Sequence, residues 1–155
     1  MRYTAKVLQP GEELQYETGL HWLAYLPAYL VLGLAAIIAV VTAWLDPSFK
    51  QYLFIVAGVV AIIGVAFALV AAWRRAGTEL AVTNHRVIYK RGLVSRHTIE
   101  ISRSKVESVD VDQSLWGRIL GFGTVIVRGT GGSLEPFPQI SHPIEFRNRI
   151  TATGE

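Results

Sequence analysis

The sequence predicts a transmembrane α-hairpin followed by an all-β sandwich or barrel that a single C-terminal helix closes. Three observations carry this reading. Two long stretches, Thr18 to Leu45 and Gln51 to Trp73, contain no Asp, Glu, Lys or Arg. The region behind them alternates apolar and polar residues at the period of a β-strand. Near the end, Pro143, Phe146 and Ile150 recur at helical spacing. The chain has 155 residues, a net charge of +3 and a hydrophobic fraction of 51%, which leaves room for one modest domain beside the hairpin. It has no cysteine, which excludes disulfides, thiolate metal sites and thiol nucleophiles.

The hairpin comes first. Each uncharged run exceeds the roughly 20 residues a helix needs to cross about 30 Å of hydrocarbon, which predicts helices over about 22–45 and 51–73. The polar link Asp46-Pro47-Ser48-Phe49-Lys50 joins them. A cleaved leader is a competing reading, but Glu12, Glu13 and Glu17 precede the first run where a leader carries basic charge. A buried helix pair in a soluble protein is another, and uncharged runs of this length are costly in water. Aromatic rings mark the helix ends, with Trp22, Tyr25, Tyr29 and Trp44 on the first and Tyr52 and Trp73 on the second, as expected at headgroup level. Small residues recur every four positions, as Ala35, Ala39 and Ala43, then Ala57 and Ala61, then Gly64, Ala68 and Ala72. They either let the helices approach closely or simply tolerate lipid. Pro27 falls in the first turn, where its missing N–H costs nothing. Arg74 and Arg75 follow the second helix, Arg2 and Lys6 precede the first, and the link balances Lys50 with Asp46. Positive-inside bias therefore predicts an integral protein of the cytoplasmic membrane with both termini cytoplasmic. The expected division is an N-terminal cytoplasmic segment over 1–20, the hairpin over 21–75 and a cytoplasmic domain over 76–155.

The stretch from Arg74 onward holds 12 basic and 8 acidic residues. Leu80 and Val82 alternate with polar positions, Thr83-Asn84-His85 supplies turn chemistry, and Val87 and Tyr89 alternate again up to Gly92. Ile99 and Ile101 repeat the period. Val109 and Val111 share one phase while Val106 is out of it, which predicts a bulge near Glu107 and Ser108. Val125 and Val127 share a face behind Gly123, and Gly129 to Gly132 reads as a hairpin turn before a strand over 133–138. Ser141 or His142 then caps the last helix, with Pro143 in its first turn.

Several of these pieces, taken together, resemble a known family. They are Val82-Thr83-Asn84 followed by Arg86-Val87, then Ile101 leading to Lys105-Val106-Glu107-Ser108-Val109. Gln113-Ser114, Gly117-Arg118-Ile119-Leu120-Gly121 and Gly123-Thr124-Val125 complete the run. In order and spacing the stretch Thr78 to Gly132 resembles the bacterial PH-like domain family of the bPH2 type. The likeness extends upstream through Pro10-Gly11-Glu12-Glu13, His21-Trp22 and the hairpin. It implies a small, strongly bent PH-like sandwich with a C-terminal helix, and non-enzymatic scaffold or accessory roles at the membrane. The last helix is short, with about ten residues before Gly154, so it is expected to cap the sandwich incompletely.

The inventory argues against catalysis. His21, His85, His97 and His142 lack metal-ligand spacing and read as neutral surface or turn residues. Asp110 and Asp112 share a strand face, which is also what a solvated face gives. The clusters Gly121-Phe122-Gly123 and Gly129-Thr130-Gly131-Gly132 invite a phosphate-cradle reading, but Ile126 stands where a dinucleotide fingerprint needs glycine and no helix follows. No cofactor, metal or nucleic-acid partner is expected. Two binding readings stay open. One is a protein partner or a second copy received at a sheet edge. The other is anionic lipid held by Arg74, Arg75, Lys90, Arg91 and Arg96, each cation contributing about 1 kcal/mol at a negative surface.

Overall fold

A computed structural model of the chain describes residues 4–44, 47–94, 97–130 and 134–152. They fall into two compact units, one formed by Trp22–Trp73 and the other by Met1–His21 together with Arg74–Glu155.

In the first of these units a 3-10 turn over Trp22–Tyr25 leads into a helix over Leu26–Ala43, and a second long helix spans Pro47–Gly77; with the short N-terminal helix Thr4–Val7 as α1, these are α2 and α3. The segments Trp22–Ala43 and Phe49–Gly77, with mean hydropathies of 2.3 and 3.0, are long and apolar enough to cross a membrane. Pro27 occupies the first turn of α2 as expected. The expected five-residue link is shorter, because Ser48, Phe49 and Lys50 are already helical behind Pro47. Pro47 suits the first helical position because its absent N–H would have no partner there anyway. Asp46 and Leu45 lie outside the described residues.

The small-residue seam also differs from expectation. Among the described residues of Trp22–Trp73, the buried positions are Ala28, Ala35 and Thr42 on α2 and Ala57, Gly64 and Ala71 on α3, spaced by seven rather than four. A seven-residue repeat keeps one seam facing the partner helix along its length. At its centre, a Cβ on Gly64 would come within 2.7 Å of Leu32 Cδ2, so the helices touch there because glycine is present. Thr42 satisfies its hydroxyl within its own helix by donating to the Ile38 carbonyl at 2.7 Å. The remaining faces, including Ile37, Ile62 and Leu69, are apolar and exposed.

Among the described residues, the second unit has seven strands in two antiparallel sheets. The strands are β1 Leu14–Gly19, β2 Glu79–Thr83, β3 Arg86–Arg91, β4 His97–Ser102, β5 Val106–Asp112, β6 Phe122–Gly129 and β7 Leu134–Ser141. One sheet has the order β1-β2-β3-β4 and the other β5-β6-β7. Helix α4, Leu115–Leu120, lies between β5 and β6, and α5, Pro143–Thr151, follows β7. The core takes alternate residues from both sheets, among them Leu80, Val82, Val87, Val125, Val127, Phe137 and Ile140. Strand period 2 makes Val109 and Val111 pack against it while Asp110 and Asp112 face out. The pairing of β5 with β6 shifts between Val106 and Ser108, where the phase change in the sequence predicts a bulge. Pro136 and Pro138 fall in β7, at the sheet edge that tolerates a missing N–H.

Three features depart from the sequence reading. Residues 14–19 are not part of a separate N-terminal segment, because β1 pairs with β2, setting Thr18 opposite Leu80; the serial division into 1–20, 21–75 and 76–155 gives way to a sandwich interrupted between β1 and β2 by the hairpin. The stretch after Ser114 turns into α4 before β6 begins. Helix α5, although short, puts Phe146 and Ile150 into the core, with Phe146 fully buried. Its cap is His142 in a left-handed conformation, with Pro143 at the start. The turn residues Gly131, Gly132 and Ser133 lie outside the described residues.

Candidate functional site

The residues that carry the resemblance fall into two constellations, both of which hold backbone in place. The first joins Thr83, Asn84 and Arg86 to the Gly11-Glu12-Glu13 segment. Asn84 sits in the two-residue turn between β2 and β3; its side chain accepts from Glu13 N at 3.0 Å and donates to the Gly11 carbonyl at 3.2 Å. The Glu12 carboxylate, 3% exposed, takes Arg86 Nη2 at 2.7 Å, Arg86 Nε at 2.9 Å and Thr83 Oγ1 at 2.7 Å. Burial alone would raise this carboxyl, but the hydrogen bonds from Arg86, the Gln9 backbone and Thr83 outweigh it and hold the pKa at about 2. Arg86 reaches further, to Glu100 at 2.8 Å and to the Val7 carbonyl at 3.0 Å. Thr4 N meets Glu79 Oε2 at 3.4 Å. Helix α1 is thereby tied at both ends to the outer face of β2 and β3, and Ala81 and Ile88 on that face are fully buried.

The second constellation shapes α4. Ser114 caps the helix by accepting from Gly117 N at 3.0 Å. Gln113 Nε2 donates to the Phe122 and Gly117 carbonyls at 2.9 and 3.3 Å. Gly121 closes the helix with φ of 75°, the left-handed turn that glycine adopts without strain. A Cβ on Gly123 would meet Asp112 O at 2.8 Å and Gln113 Cγ at 2.7 Å, so its strand lies against β5 only as glycine. Thr124 pairs with Asp112 across the two strands, and Arg118 is exposed on α4.

The basic candidates do not form one cluster. Lys90 is 6% exposed and its Nζ lies 3.4 Å from Glu79 Oε1, its register partner on β2. Arg91 is exposed at the end of β3, Arg74 and Arg75 are exposed in the last turns of α3, and Arg96 lies outside the described residues. Among the histidines, His85 and His97 are exposed at opposite ends of β3. His21 corrects the surface reading: it is 6% exposed, its ring lies 5.4 Å from that of Phe122, and burial pushes its pKa down. Among the described residues no group of three His, Asp or Glu side chains is placed to hold a metal.

Arg103 is the residue that sequence reasoning passed over. Its guanidinium donates to the Arg149, Ile150 and Ala152 carbonyls at the end of α5, to Gln15 at 2.9 Å and to the Thr83 carbonyl at 3.3 Å. A cation there satisfies orphan carbonyls and complements the helix dipole. Beside it a groove of about 460 Å³ runs between β5 and α5, lined by Arg103, Ser104, Val106, Ser108, Ile150 and Thr151. Strand β5 is an edge of its sheet, so the groove has a strand edge along one wall and a helix along the other. That pairing of backbone groups with partly apolar side chains suits an extended segment.

Comparison with known proteins agrees with this architecture. A family model described as a bacterial PH domain matches residues 19–153. No curated protein and no solved structure matches the chain.

Proposed function

Because the chain belongs to the bacterial PH domain family, we propose that it is a membrane-anchored, non-enzymatic scaffold or accessory module whose β5 edge receives an extended segment of a protein partner or of a second copy. The observation that carries this is the groove between β5 and α5. An edge strand offers unpaired backbone groups for affinity, and the partly buried Val106 and Val109 give an apolar floor for alternate side chains. The two apolar helices support a membrane anchor. Arg74 and Arg75 behind the second helix support cytoplasmic termini and a cytoplasmic sandwich. Anionic headgroup binding by a basic cluster has less support, since Lys90 is enclosed beside Glu79.

Photo-cross-linking tests the edge directly. A photoreactive residue at Glu107, exposed on β5, is expected to yield a discrete adduct in native membranes, of twice the chain's mass for a second copy and of another fixed mass for a partner. The same group at Gln139, exposed on β7, is expected to leave the chain monomeric. Monomer alone from Glu107 would sink the proposal.

A further inference from the structure

Four segments of the sandwich unit meet at one end of it. The chain leaves this unit at His21 and returns at Arg74. A cavity of about 340 Å³ has Leu20 on one wall and Arg75, Ala76 and Thr78 on another, so the departing and returning strands of chain lie side by side. His21 is held to the end of α4 by a hydrogen bond with the Leu120 backbone and to the start of β6 by its ring against Phe122. Gly77 is so close to the β3–β4 turn, described over Gly92–Val94, that a Cβ there would lie 3.1 Å from the Gly92 carbonyl carbon and 3.2 Å from Leu93 N. Helix α4 and the β3–β4 turn therefore flank the points where the chain passes into and out of its apolar helices.

Both flanking segments end in bare apolar side chains. On α4, Leu115, Trp116 and Ile119 are 77%, 70% and 73% exposed, while Gly117 is turned inward. On the turn, Val94 is 83% exposed and Leu93 is exposed as well. Arg118 and Arg91, both exposed, stand among them. Water is a poor solvent for such a set, whereas the zone between headgroups and acyl chains accepts aliphatic side chains, an indole and a basic rim together.

We propose that α4 and the β3–β4 turn insert Leu115, Trp116, Ile119 and Val94 into the lipid surface beside the hairpin, holding the sandwich against the bilayer by apolar insertion. This rests on the membrane-anchor reading above and uses none of the β5 groove. The occupant is lipid rather than protein because the two apolar tips sit at the residues that lead directly into the candidate membrane spans.

The chain has no cysteine, so single-cysteine variants of the full-length protein can each carry one environment-sensitive fluorophore. The variants are Ile119→Cys and Val94→Cys at the tips, His85→Cys at the other end of the sandwich, and Val59→Cys within α3. They are reconstituted into vesicles of phosphatidylethanolamine and phosphatidylglycerol containing acyl-chain spin labels. The expected result is blue-shifted emission, largely quenched by the spin-labelled lipid, at positions 119, 94 and 59, and water-like unquenched emission at 85. Water-like emission at 119 and 94 with quenching kept at 59 overturns this inference and leaves the anchor standing. Blue-shifted but unquenched emission at 119 and 94 means that protein covers the tips, and also overturns it. Loss of quenching at 59 removes the anchor reading and this inference together.

Discussion

Glu12 shows why a run of ordinary residues carries the family's likeness. Its carboxylate is 3% exposed and is ionised against the cost of burial, because Arg86, Thr83 and the Gln9 backbone donate to it. Thr83 was legible as turn chemistry and Arg86 as a piece of the family's run, but their partner lies 74 positions upstream of Arg86, across the whole hairpin, and no local pattern announces it. These donors hold the carboxyl at about 2, below its ordinary value of 4.5. With the folded value depressed, its stabilisation is fully present above pH 4.5 and is lost as pH falls toward 2. Glu12→Gln keeps the shape, removes the charge and leaves Arg86 short of its partner, so stability near pH 7 is expected to fall by roughly 2–4 kcal/mol. Thermal unfolding followed by circular dichroism across that window should show a flatter acid limb in the variant. An acid limb as steep as the parent's would place the titrating group elsewhere.

At the scale of elements, periodicity recovered what repeats and missed what does not. The alternation of Leu80 with Val82, Val87 with Tyr89 and Val125 with Val127 fixed the inward faces, and the phase slip at Val106 located the bulge. Helix α4 escaped because it has six residues with a glycine in the middle, too few for a helical period. Strand β1, Leu-Gln-Tyr-Glu-Thr-Gly, escaped because its side chains grade from exposed to half-buried without alternating. The hairpin seam was legible in part: of the small residues at four-residue spacing, Ala35, Ala57 and Gly64 are buried and Ala39, Ala61, Ala68 and Ala72 half-buried, while Ala43 is exposed, because alanine is plentiful on both helices and only packing separates the two spacings. Glycine substitutions distinguish the two. Gly58 has nothing within 4 Å of a would-be Cβ, whereas Gly64 would strike Leu32 at 2.7 Å. Gly58→Ala is expected to be neutral or to stabilise α3 by up to about 1 kcal/mol. Gly64→Leu is expected to force the helices apart at a cost of about 1–3 kcal/mol. Thermal unfolding in detergent checks both, and equal effects at the two glycines would refute a seam centred on Gly64.

For the whole molecule, the consequence lies in where the hairpin is inserted. It interrupts a sandwich whose first strand and Glu12 lock come before it and whose remaining strands come after it. A fragment beginning at Thr78 would therefore lose β1, the Glu12 partner of Arg86 and the Gln15 contact of Arg103. It would also uncover Ala81 and Ile88, which are fully buried in the intact unit. Exposed β2 edge and bare apolar surface of this kind favour aggregation. A chain in which a short Gly/Ser linker replaces Trp22–Trp73 keeps all of these contacts, because Leu20 and Arg75 already line one cavity. That internally shortened chain is expected to fold as a monomeric β-rich domain with a cooperative thermal transition and dispersed amide resonances. The Thr78 fragment is expected to give neither. If the fragment folds as cooperatively as the shortened chain, the N-terminal strand is an accessory to the sandwich rather than part of it.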